Sequence, residues 1–161
     1  MRTDFLLAVA HHVLAFALVS ALAAELAWLR ALQSLQQLQR EPHGLEPVLV
    51  RLARLDAVYG ACAGLLVAVG ALRVAFGVKG ARYYLANPWF WAKMAAFVAV
   101  GALSVAPTMH FVRWRRAAHA DAAFEPSART VARAARLVTT ELLLIVVVLA
   151  CAAAMARYGT L

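Results

Sequence analysis

The chain has 161 residues, of which 65% are hydrophobic and only 15% charged, with a formal net charge of +8. A soluble domain of this length is about half apolar, so the excess and its clustering into long runs point to a membrane protein with one compact domain. The basic balance does not mean nucleic acid, because no soluble basic domain remains outside the apolar runs and the arginines gather at their ends, where phospholipid headgroups lie.

The elements follow in order as four membrane spans, over about 5–32, 50–76, 88–112 and 131–156. The first exceeds the h-region of a signal peptide, usually about 7–15 residues, and is expected to be a retained helix. Its helix continues through the Gln-rich SLQQLQR stretch until Pro42, Gly44 and Pro47 break it. The second span carries the GxxxG pair Gly60 and Gly64, which serves either packing inside one bundle or a homodimer face. It ends in the sequence GVKGARYYLANP, expected to be a Gly-rich loop. Pro88 suits the first turn of the third span, and Pro107 should kink its last turns. Glu125-Pro126-Ser127 opens the fourth, whose early Arg129, Arg133 and Arg136 give way to an apolar run from Leu137 to Met155. Cys62 and Cys151 lie in apolar segments and read as buried free thiols.

Arginine and lysine counts set the orientation. The first loop and its flanks hold Arg30, Arg40, Arg51 and Arg54, and the third holds Arg113, Arg115, Arg116, Arg129, Arg133 and Arg136. On the other side are Arg2, Arg73, Lys79, Arg82 and Arg157. The positive-inside rule places the first and third loops in the cytoplasm and both termini outside, in a multi-pass protein of the bacterial inner membrane. Tyr83, Tyr84, Trp89 and Trp91 then form an outer aromatic belt, with Trp28 and Trp114 at the inner face.

Ionisable residues inside the spans carry the functional information. They are costly in hydrocarbon and survive where they face a bundle interior, pair with one another or do chemistry. His11, His12, Arg73 and Lys93 lie toward the outer side, whereas Glu25, Asp56 and Glu141 lie deeper. His11 and Glu25 are 14 residues apart, about 21 Å along a helix, so one group cannot touch both. They lie within about 40° of each other around the helix, which makes His11 the inward histidine and leaves His12 nearly opposite. Lys93 needs a carboxylate, a carbonyl or an anionic ligand, and Arg73 and Arg82 are cations able to clamp one. Asp56 is expected to pair with Arg54 near the inner interface, and Glu141 either to pair with Arg136 or Arg54 or to carry a proton or cation. His110 at the inner interface, and His43 and His119 in loops, are expected to be solvated.

The segments AHHVLAFAL, RLARLDAVYGACAGLLVAVGALRV, NPWFWAKMAAF and RLVTTELLLIVVVL, in this order, resemble a superfamily of small four-helix bacterial membrane proteins. It includes HemJ-type protoporphyrinogen oxidases and the membrane domain of CopD-type copper-resistance proteins, and this chain looks like a branch beside them. The resemblance implies an all-α bundle binding haem b or another porphyrin, with His11, or alternatively His12, as the iron ligand. It implies catalytic roles for Lys93 and Glu141, and Arg73, Arg82 and Lys93 could hold the propionates. The stretch after His11 lacks the aromatic-rich character usual in the HemJ type. A CopD-like role in copper or ion transport and a structural subunit of a membrane complex are the alternatives. Copper has few soft ligands here, because Met94, Met109, Met155, Cys62 and Cys151 do not cluster.

The orientation is testable with reporter fusions at Gly159 and Ala120. A reporter at Ala120 should score as cytoplasmic and one at Gly159 as external; the reverse result would invert the topology.

Overall fold

A computed structural model of the chain describes residues 2–38, 45–78 and 80–158. Long Ala- and Leu-rich runs favour helix, and the helices are α1 (Arg2–Gln37), α2 (Glu46–Phe76), α3 (Gly80–Leu85), α4 (Pro88–Ala120) and α5 (Ala128–Arg157). No strand occurs among the described residues. All but α3 are long and apolar enough to cross a membrane. Each extends beyond the spans expected from hydropathy. The 36 residues of α1 reach about 54 Å, against a hydrocarbon core of about 30 Å.

The helix ends follow from local chemistry. Asn87 caps α4 by accepting the Trp89 amide at 2.9 Å, with Pro88 just inside the helix where its missing N–H costs nothing. Ser127 caps α5, its hydroxyl accepting the Thr130 amide. One expectation is corrected. The segment after α2 is not a plain loop, because residues 80–85 form α3, launched by Gly80 at φ +73, a conformation that favours glycine. Pro107 lies inside α4, which continues through it to Ala120. Pro42, Gly44, Arg40, His43 and Lys79, assigned roles above, lie outside the described residues.

The long helices form a four-membered ring. α1 packs on α2 and α5, and α4 packs on α5 and α2, which sets α1 opposite α4 and α2 opposite α5. One end, the loop end, carries the α1–α2 and α4–α5 connections. The opposite, terminal end carries both termini and α3. At the terminal end the Tyr83 hydroxyl donates to the Met155 carbonyl at 2.9 Å, and the Trp91 indole donates to the Leu85 carbonyl, tying α3 to α5 and α4. At the loop end Gln36 donates to the Pro126 carbonyl at 2.7 Å and to Glu125, joining α1 to the start of α5.

Packing is uneven along the bundle. The fully buried residues concentrate toward the loop end, with Leu29, Leu32, Leu49, Leu52, Phe111 and Val131 among them. This is physically coherent. Helix ends that leave the hydrocarbon gain hydrophobic stabilisation from packing together, whereas in lipid apolar side chains are as well accommodated outside as inside. Around the mid-bundle Phe16, Val58, Leu65, Val98, Val105 and Leu143 are exposed, as a lipid-facing surface requires. Trp114 departs from the expected belt: it is buried, and its ring meets Phe111 and stacks on His110. His110 is accordingly only partly solvated.

Gly60 and Gly64 do not serve packing inside the bundle. Both are exposed, and a Cβ at either would meet nothing within 4 Å. Gly60→Ala and Gly64→Ala should therefore leave thermal stability in detergent unchanged or slightly raised, since Ala favours helix over Gly by about 0.5–1 kcal/mol. Leu49→Ala, by contrast, should cost about 2–5 kcal/mol. Thermal unfolding of the three variants in one detergent checks both expectations.

Candidate functional site

The ionisable residues of the spans separate into two groups at different depths. The first lies toward the loop end. Glu25 of α1 and Glu141 of α5 are each 1% exposed, and Asp56 of α2 is 8% exposed. The three carboxyls interact electrostatically: Glu25 with Asp56 and Glu141, and Glu141 with Asp56. α4 completes the ring, with the Thr108 hydroxyl donating to Asp56 Oδ1 at 2.7 Å. Buried Tyr59 brings its hydroxyl beside Ser104 and Glu141. The Tyr59–Glu141 approach is not a closed hydrogen bond, because both Glu141 oxygens, like Glu25 Oε1, lack a partner within bonding geometry.

Sequence position explains the shared depth. Glu25, Asp56, Thr108 and Glu141 each stand five residues from an arginine on the loop-end side of their own helix: Arg30, Arg51, Arg113 and Arg136. Five residues are about 7.5 Å of helix, so the ring sits just inside the level where arginines meet water. Those four arginines are exposed. The expected pairs of Asp56 with Arg54 and of Glu141 with Arg136 or Arg54 do not form. Arg54 lines an outer groove with Glu46, Val50, Arg51 and His119, and Asp56 has Thr108 instead. His119 is not in a loop but in the last turn of α4, with Nδ1 2.9 Å from Glu46 Oε1. Arg51 stacks over Trp28, 4.8 Å from the ring centroid.

The second group lies toward the terminal end. His11, Arg73 and Lys93 come from α1, α2 and α4 and interact with one another, His11 with both cations and Lys93 with Arg73. His11 packs on Gly70, whose added Cβ would lie 3.5 Å from the imidazole Cε1. That distance is ordinary van der Waals contact, so the ring lies against α2 without requiring glycine there. His11 Nδ1 and Arg73 Nε are buried without a hydrogen-bond partner. Lys93 lies near Cys151 and has its ammonium 5.7 Å from the Phe90 ring centroid. Among the described residues no carboxylate forms an ion pair with Arg73 or Lys93. His12 is exposed and donates Nδ1–H to the Ala8 carbonyl at 2.6 Å. Arg82 is exposed on α3 and forms no ion pair among the described residues. Lys93 and Glu141 are not brought together: Cys151, beside Lys93, is ten residues from Glu141, or about 15 Å along α5.

The two groups are separated by apolar side chains, with Leu18, Leu22, Cys62, Val100 and Ile145 buried between them. Both cysteines are free and buried, as their setting implies. Among the described residues no three His, Cys, Asp or Glu side chains converge as metal ligands. Tyr59, Ser104 and Thr108 were not legible as site residues from composition, although Tyr59 lies one turn beyond Asp56. The five-residue offset from the arginines is the signal that would have revealed Thr108.

The family model described as "Predicted membrane protein (DUF2214)" matches residues 3–159, and the chain belongs to this family. It is an integral membrane protein with a four-helix transmembrane architecture. No curated protein and no solved structure matches it. The likeness to HemJ-type and CopD-type proteins therefore rests on the quoted motifs alone.

The Thr108–Asp56 bond yields a stability prediction. Thr108→Val removes the hydroxyl at nearly constant shape and strands a buried acceptor, at a cost of about 1–3 kcal/mol. Thr108→Ser keeps the donor and should lose much less. Comparing the two variants by thermal unfolding in detergent checks the bond; equal losses would show that it contributes nothing.

Proposed function

We propose that this DUF2214 protein binds an anionic, membrane-partitioning ligand at its terminal end, and that the ligand is haem b or a related porphyrin. One observation carries the reading. Three basic side chains from three helices face one another within the spans, and no carboxylate among the described residues pairs with Arg73 or Lys93. Cations gathered in hydrocarbon repel one another, and an anionic ligand removes that repulsion.

The residues fit such a group. A haem offers two propionates and an iron that takes an axial imidazole. His11 offers a ring nitrogen with no partner in the protein. Arg73 and Lys93 supply two cations near it, suited to carboxylates. His12 fits less well, since its Nδ1 is already engaged by the Ala8 carbonyl and its ring is exposed. Arg82 stands outside this group. Bound haem supplies one-electron redox chemistry, consistent with a HemJ-like oxidoreductase role. The chain's own contribution is to ligate through His11, to orient through Arg73 and Lys93, and to exclude water with the apolar layer beneath. Copper finds less support, because no set of three donors converges among the described residues.

The positive-inside rule supports a cytoplasmic loop end, and with it a site at the outer leaflet of a bacterial inner membrane. The exposed Gly60 and Gly64 support association of two copies across α2.

The absorption spectrum of protein made with ample haem and purified in detergent tests the proposal. A Soret band is expected. His11→Ala should abolish or shift it, His12→Ala should leave it nearly unchanged, and Arg73→Ala and Lys93→Ala should lower haem occupancy while the bundle stays folded. Folded protein without a Soret band would overturn the haem reading.

A further inference from the structure

The carboxyl ring toward the loop end takes no part in the ligand site above and needs its own explanation. Glu25, Asp56 and Glu141 converge from three helices, and α4 adds Ser104 and Thr108. The electrostatic neighbours of Glu25 are the other two carboxyls, and no cation is among them. Arg30, Arg51, Arg54 and Arg136, the cations nearest in sequence on α1, α2 and α5, are exposed, and His110 on α4 faces Arg113 and Arg133 instead. A second observation points to a ligand. Glu141 is 1% exposed, and neither of its oxygens has a partner within bonding geometry, although the Tyr59 hydroxyl lies beside it. Thr139 and Thr140, which could have served it, donate to the Ala135 and Arg136 carbonyls of their own helix.

We propose that this ring, Glu25–Asp56–Glu141 with Tyr59 and Thr108, is a proton-binding site loaded from the loop side of the membrane. Three buried carboxylates without a counter-cation repel strongly, and a bound positive charge must offset them. A chelated divalent ion does not suit the arrangement, because the carboxyls face one another without converging as metal ligands. A proton suits it. A proton on one carboxyl removes that group's charge, so a single proton relieves its repulsion with both neighbours. Loading breaks an O–H bond of water or hydronium on the loop side as it forms the carboxyl O–H, and no electrons move.

Access comes from one side. A groove between α1 and α5 is lined by Leu26, Arg30, Gln33, Arg136, Thr139 and Thr140, and so reaches the sequence neighbours of Glu25 and Glu141. Toward the terminal end Leu18, Leu22, Val100 and Ile145 close the interior. The site is therefore a one-sided proton store rather than a conduit across the bilayer.

Infrared difference spectroscopy of the full-length protein in liposomes, recorded across a pH step in light and heavy water, tests this without reference to haem. The wild type should show carboxylic-acid C=O bands that change with pH and shift in heavy water. Glu25→Gln, Asp56→Asn and Glu141→Gln should each remove part of that signal, with circular dichroism confirming an unchanged helix content. Wild-type protein that shows only ionised carboxylate bands throughout would overturn the proposal. So would carboxyl bands that move with sodium or potassium at constant pH, which identify a metal-cation site instead. Because the wild-type spectrum alone decides between these outcomes, a variant that fails to fold does not obscure the result.

Discussion

The cost of an ionisable side chain in hydrocarbon governs the arrangement of this molecule. Mid-bundle, the usual rule of a soluble protein is inverted. Phe16, Leu65, Val98 and Leu143 face outward, while Glu25, Asp56 and Glu141 are buried. Each helix has turned its acidic or basic residue toward the other helices and its branched aliphatics toward lipid. That single constraint fixes the rotation of four helices about their axes more firmly than apolar packing could, since lipid and protein interior are nearly equivalent for a leucine.

The same constraint divides the bundle by depth and by sign. Basic groups meet near the terminal end and acidic groups toward the loop end, with an apolar layer between them. The two sets do not neutralise each other, although a salt bridge would have been the cheaper structural solution. Segregated charges are poor architecture for stability alone and suit binding of an external partner of opposite sign. The terminal group is cationic and matches anions, and the carboxyl ring matches a small positive charge.

Stability comes largely from elsewhere. The helices outrun the hydrocarbon, and the loop end packs like a soluble bundle, with Leu29, Leu32, Leu49, Phe111 and Trp114 buried and Gln36 clipped to Pro126. This frees the terminal half from the need for tight packing. His11 packs in ordinary contact with Gly70 there, and His11, Arg73 and Lys93 are only partly buried.

By itself the sequence determined the class, the four spans, the helix starts at Pro88 and after Ser127, and the inward face of α1. These depend on local quantities: run length, the chemistry of a cap, and the 100° step that puts His11 and Glu25 on one side. It also sorted the charges by depth, because rise per residue is fixed. Only the tertiary structure decided who meets whom. Asp56 stands next to Arg54 in the chain but beside Thr108 in space, and Glu141 lies near Arg136 in sequence but faces Tyr59, Asp56 and Glu25. Arginines at that depth reach outward to water on long stems, whereas short carboxyl side chains cannot, so sequence proximity misleads. The belt position of Trp114 and the packing reading of the GxxxG pair failed for a related reason. Whether an aromatic anchors at the interface or fills a core, and whether a glycine meets a neighbour or lipid, depends on helix rotation, which the distant charged residues set together.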